Sequence, residues 1–255
     1  QPLAESQIDT RMAPNPDQGF LRAKQTSIAF PNLRVGTTIT YTVREHTTAK
    51  PLMEHFHYAL TFGPSPVRTD VFKGTFTAEQ PIVWRSELME DFTFTPSADH
   101  KTLVVEQKKP RFVNYINEAN NGYIRQVPRL EIGSSSQLQD HFGPLAKRYN
   151  DILAARLPDG AAKAVAGLKG LPPEQQVSGL MRYIHDQYRY MGDWRATDRG
   201  YVPFSLSEIE ARGYGDCKDL SVLLTALLKA SGIHAQTTWV SRGTNPLGLL
   251  LPGTS

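Results

Sequence analysis

A single cysteine in 255 residues leaves this chain no internal disulfide, so cysteine arithmetic does not fix its compartment. No run approaches the ~18 consecutive apolar residues of a membrane span, so membrane association would need segments outside these residues. Neither sign of charge dominates. The 28 Lys and Arg against 25 Asp and Glu leave +3, too mild and too scattered for a nucleic-acid partner. Internal repeats and low-complexity segments are also missing. His55 and His57 share one face of a strand, but no acid or cysteine is placed to complete a metal site with them. They are expected to face solvent, opposite Phe56, Tyr58 and Leu60, and neither a metal nor another cofactor is expected. What remains, 40% hydrophobic and 21% charged residues, is the composition of an ordinary folded protein, long enough for two domains of about 100–150 residues.

The first half reads as strands. Residues 1–27 are polar, with Pro14, Pro16 and Gly19, and read as an edge or leftover of a larger domain. Thr37 to Glu45 alternates, with Thr37, Ile39, Tyr41 and Val43 on one face and Thr38, Thr40, Thr42 and Arg44 on the other, which predicts a half-buried strand. Phe56, Tyr58, Leu60 and Phe62 repeat the pattern up to a Gly63-Pro64-Ser65-Pro66 break. Shorter strand-like runs follow at Thr69–Phe76, Ile82–Leu88 and Thr102–Gln107. Short strands separated by turn signals predict an antiparallel, β-sandwich-like domain over residues 1–127, truncated at its N-terminus.

Helical spacing takes over near Pro128, so the second domain is assigned to 128–255 and the fold class is α+β. Ser136-Gln137-Leu138-Gln139 reads as a capping box, and Leu138, Phe142, Leu145, Tyr149 and Ile152 recur at helical spacing. A short alanine-rich helix is expected at 161–168. Pro172-Pro173 opens a third helix, with Val177, Leu180, Met181, Ile184 and Tyr188 on its inner face. His185 sits in the middle of that helix as an ordinary packed or exposed residue. The stripe Tyr183, Tyr188, Tyr190 and Trp194 has the character of core, although Tyr190 and Trp194 could instead line a cleft.

Cys217 stands at the start of an apolar helix, in Gly213-Tyr214-Gly215-Asp216-Cys217-Lys218-Asp219. Unpaired N–H groups and the helix dipole favour a thiolate at such a place. Gly213 and Gly215 permit a sharp turn into the helix. Asp216 suits the N-cap and Asp219 the third helical position of a capping box. From Leu220 the helix runs, mostly apolar and therefore buried, to Gly232, a natural C′ residue. Two readings compete: a small buried structural cysteine, or an activated nucleophile. Asp216 and Asp219 oppose a thiolate unless they are turned away into capping bonds.

Gly-Asp-Cys-Lys-Asp, the apolar helix after it and Ser231-Gly232-Ile233-His234-Ala235 resemble the catalytic-cysteine helix of bacterial transglutaminase-like proteins. Tyr183-Ile184-His185, Tyr188-Arg189-Tyr190 and Val202-Pro203-Phe204-Ser205 fit the same family upstream. That resemblance covers roughly 128–242. Residues from about 20 to 127, above all Phe30-Pro31-Asn32-Leu33-Arg34-Val35-Gly36, resemble more loosely the β-rich domain of unknown function that often precedes it in bacterial secreted proteins. The family implies a papain-like fold with a Cys-His-Asp triad acting on amide bonds through an acyl-enzyme. It also implies a polypeptide substrate and a periplasmic or cell-envelope location.

Only the cysteine of that triad is legible. Residues 218–255 hold one histidine, His234, and no acidic residue after Asp219. His234 lies in a strand-like run, 233–240, past the far end of the helix, about 20 Å from the thiol at 1.5 Å per residue, so it is not the base. The chain therefore reads as truncated, with the family's histidine and aspartate expected beyond Ser255. Two functions follow. The first is a cysteine amidase in which Cys217 is catalytic, Gly215, Asp216 and Asp219 support it, and hydrolysis is favoured over amine transfer. The alternative is a catalytically silent binding or scaffold protein of the cell envelope.

Overall fold

Mainly antiparallel strands lie before residue 134 and helices dominate after it, so the protein is α+β as its patterning predicts. The computed structural model describes residues 4–13, 19–20, 24–47, 50–63, 65, 67–112, 126–193, 199–240 and 249–253. Two compact units divide it: one comprises Gln1–Pro51 with Arg148–Thr237, the other Leu52–Lys147 with Thr238–Ser255. The 127/128 division drawn from the sequence falls inside the second unit.

In the first unit β1 (Ile8–Met12) and β3 (Lys24–Ile28) pair as an antiparallel ribbon, with Thr10 opposite Thr26 and their hydroxyls 2.9 Å apart. The N-terminal stretch is thus more than a polar leftover. Between them lies β2 (Gly19–Phe20). The strand expected at Thr37–Glu45 does not form. Tyr41 and Val43 are 74% and 75% exposed. Alternation makes a segment able to be a strand, but a ladder partner and a covering face are needed to hold it as one.

The second unit is built on β4 (His57–Thr61), β5 (Lys73–Thr77), β6 (Val83–Glu87), β7 (Phe92–Pro96), β8 (Thr102–Gln107) and β9 (Arg129–Gly133). They form two antiparallel three-stranded sheets, ordered β4-β9-β6 and β5-β8-β7. Leu130 and Ile132 of β9 join Leu103 and Val105 of β8, with Ile82, Met89 and Phe92, in one buried cluster. Leu60 and Phe62 pack against it as their alternation predicts, and the Phe62 ring lies edge-on to Phe72 with centroids 4.9 Å apart. Phe56 and Tyr58, expected in the same core, are exposed at 39% and 51%.

The two histidines do not face solvent as expected. The His57 side chain is 3% exposed and its Nε2 lies 3.0 Å from Glu131 Oε2. His55 bonds Ser134 Oγ through Nδ1 at 3.0 Å, and its ring stands 5.4 Å from that of His141. The face opposite Leu60 is covered as well: Leu250 and Leu251 donate their backbone N–H groups to Glu131. That segment lies 119 and 120 residues from Glu131 in sequence, beyond the reach of a period-2 argument.

Helix α1 (Leu138–Leu153) carries Pro144 inside it. At its start Ser135, rather than Ser136, accepts from the Gln137 N–H and donates to Asp140. The remaining helices are α2 (Asp159–Gly167), α3 (Pro173–Gln187, with proline at its first position), α4 (Leu206–Arg212) and α5 (Cys217–Ala230). Short strands β10 (Arg189–Tyr190), β11 (Gly192–Asp193) and β12 (Tyr214–Gly215) link them, with β10 parallel to β12 and β11 parallel to β2. α5 is the hub of the first unit. It packs on α2, α3 and α4 and buries Val222, Leu223, Ala226 and Leu227. The strand expected over 233–240 is absent, and His234 is exposed past the end of α5.

Candidate active site

Local sequence dictates how the chain enters α5. Ser205 caps α4 through a reciprocal box with Glu208, and the helix ends at Gly213 in the left-handed region, φ 65°. Gly215 is required for closeness rather than for φ. A Cβ there would lie 2.6 Å from the Cβ of Asp219, so only glycine lets β12 run this tightly against the first turn of α5. Asp216 is the N-cap; its carboxylate accepts from the N–H groups of Lys218 and Asp219, and Asp219 returns the bond to the Asp216 N–H at 3.0 Å. The capping box read from the sequence is present in full.

Cys217 is the first residue of α5 and its side chain is exposed. The structural reading, a small buried hydrophobe, does not describe it. Among the described residues its own N–H forms no hydrogen bond, whereas the N–H groups of Lys218 and Asp219 are taken by the Asp216 carboxylate and that of Leu220 by the Asp216 carbonyl.

The acidic pair beside the thiol is compensated by a residue that sequence reasoning missed, Arg199. Its guanidinium grips Asp219 with both ends, 2.6 Å to Oδ1 and 3.0 Å to Oδ2, and reaches Asp216 Oδ2 at 3.1 Å. Lys218 Nζ pairs with Asp216 as well. The Phe204 N–H donates to Asp219 Oδ1 at 2.8 Å. Burial by itself pushes the Asp219 carboxyl up. The bonds from Arg199, Phe204 and Asp216 outweigh it and hold the group below its ordinary range, so it is ionised. Arg199 also lies 3.6 Å from the Phe204 ring centroid, and Arg212 approaches the same ring at 4.0 Å. The sequence signal was thin: an arginine in a loop is ordinarily read as a solvated charge.

Of the two residues expected to line a cleft, Tyr190 pairs in β10 directly opposite Gly215 of β12 and is 63% exposed, so it is not core. Trp194 lies outside the described residues. Tyr183 and Tyr188 do pack together, hydroxyls 3.1 Å apart, and burial followed by the bond to Tyr183 drives the Tyr188 hydroxyl well above its usual range. His185 is exposed on α3 beside Asp186, and Met181, expected on the inner face of that helix, is 56% exposed because the turn buries its neighbour Leu180 instead.

Residues 1–133 match the family described as a domain of unknown function with solved structure, DUF3857. The chain belongs to the DUF3857 family. Behind that domain, residues 162–245 of this DUF3857-family chain are a transglutaminase-like superfamily domain, and Cys217 with its glycine turn falls inside the match. The fold is also similar to the crystal structure of "a putative protease" from Parabacteroides distasonis, with a TM-score of 0.52 at 13% identity. That likeness covers 72% of this chain and 36% of the other, so the chain spans little more than a third of that protein's length. No curated protein matches the chain.

Proposed function

We propose that Cys217 is the nucleophile of a cysteine amidase that cleaves peptide bonds or glutamine carboxamides in polypeptides. One observation carries the reading: the exposed thiol opens a buried helix within a transglutaminase-like domain, and the carboxylates beside it are matched by cations. Sγ attacks the amide carbonyl as a histidine removes its proton. The backbone N–H of Cys217, which has no partner among the described residues, donates to the developing oxyanion. The same histidine returns the proton to the leaving amine, and water then resolves the thioester. His234, at the opposite end of α5, is not that histidine. Tyr190, beside Gly215, lines the approach to the thiol. Hydrolysis rather than amine transfer is favoured by analogy with the structural neighbour, described as "a putative protease". We place the protein in the periplasm or cell envelope on the strength of its family resemblance alone.

The test is turnover of an unfolded polypeptide such as casein by the full protein, with trapped acyl-enzyme sought by intact mass. Cys217→Ala is expected to cut the rate by about 10³-fold or more. Because the side chain is exposed, the melting temperature should move by no more than about 2 °C. A folded wild type with no turnover, no acyl adduct and a thiol no more reactive than a free peptide cysteine would instead mark a binding module.

A further inference from the structure

We propose that Arg199 is a positioning residue for this chemistry: it cancels the charge of the acidic cap so that a thiolate can form beside it. The proposal rests on the amidase reading of Cys217. A helix start favours an anion, but here the cap itself is anionic, with Asp216 at the N-cap and Asp219 two residues past the thiol. Both are almost wholly buried, with side chains 4% and 0% exposed, so water screens them little. Two cations meet them. Lys218 pairs with Asp216 only, whereas Arg199 spans both carboxylates and is the cation that reaches Asp219 among the described residues.

The loop that carries Arg199 is organised around this task. Residues 199–204 deliver the guanidinium and the Phe204 N–H to the same carboxylate, and the Phe204 ring backs the guanidinium as a flat platform. A fork with two parallel donors fits a carboxylate as an ammonium cannot, which explains arginine rather than lysine at this position. Without Arg199, Asp219 would stand as an unmatched negative charge in the first turn of the helix, opposing the thiolate next to it.

The experiment is the rate of iodoacetamide alkylation of Cys217 in the full protein at pH 7, with circular dichroism confirming that each variant is folded at the assay temperature. Arg199→Met should slow alkylation roughly tenfold, the scale expected for one uncompensated neighbouring charge, with Arg199→Lys in between. The deciding variant is the double substitution Arg199→Met/Asp219→Asn, which removes both charges at once. Its alkylation rate should return to within about threefold of wild type, although the lost bonds leave it less stable than wild type. A folded Arg199→Met protein that alkylates at the wild-type rate overturns the proposal. So does a folded double variant that is as slow as Arg199→Met, because Arg199 would then act through shape and not charge. Should Arg199→Met fail to fold, Arg199→Gln, which loses the charge but keeps a polar head, is measured in its place and alongside the double variant, with the same expected and overturning results. A wild-type thiol that reacts no faster than a free peptide cysteine overturns the amidase reading itself, and wild type alone reports that result.

Discussion

The start of α5 and the middle of β9 both bury an acidic side chain, yet they are built to different ends. At α5, Asp219 meets an arginine fork and two backbone N–H groups, in the first turn of a helix that an exposed thiol opens. At β9, Glu131 accepts from His57 and from the N–H groups of Leu250 and Leu251, fastening a distant segment onto the sheet. His57 Nδ1 has no hydrogen-bond partner among the described residues, and the imidazole that bonds Glu131 is itself buried, its side chain 3% exposed. Buried charge by itself therefore does not mark a site. What distinguishes the first region is a thiol left accessible at a helix start whose charges have been neutralised.

Three measurements would break or sharpen this comparison. The largest effect belongs to Asp219→Ala, which takes two of its three carboxylate bonds from the Arg199 guanidinium and the acceptor from two N–H groups; the cost should be about 3–5 kcal/mol in urea unfolding. Next comes Glu131→Ala, which deprives His57 and two backbone N–H groups of their acceptor and should cost about 2–3 kcal/mol in the same experiment. If the order were reversed, the fastening at β9 would be the stronger polar network and the account of α5 as the tighter one would fail. The smallest effect is in acid. The Asp219 carboxyl is held below its ordinary value of 3.8, so its contribution is complete above that pH. As pH falls below it, the unfolded chain takes up a proton that the folded chain still refuses, and this stabilisation drains away. Asp219→Asn should lose that part of the acid dependence between about pH 4 and pH 2, measured by thermal melts. An unchanged acid profile would mean that Asp219 is not ionised in the fold.

Much of the α5 region was legible because its determinants are neighbours in sequence. Asp216, Asp219 and Gly232 specify a helix start and stop through bonds spanning three or four residues, and Gly215 is explained by one contact with Asp219 four positions on. Pro173 at the first position of α3 is of the same kind. Alternation found β4 and β8 to within a residue but did not say which faces would be covered. Phe56 and Tyr58 were assigned to the core and His57 to solvent, and the fold did the reverse. The run at 37–45 has the pattern of a strand without the ladder that would hold it as one.

By itself the sequence determined the capped, glycine-led helix with its single cysteine, the antiparallel strands before it and the α+β class, since these depend on periodicity and on contacts within a turn. Only the tertiary structure decided that Arg199, 20 residues before Asp219, would be the counter-charge of the cap, and that Leu250 and Leu251 would close over Glu131. The physical reason is that a charged side chain acquires its meaning from whichever partner the fold brings within about 3 Å, and no local rule encodes that distance.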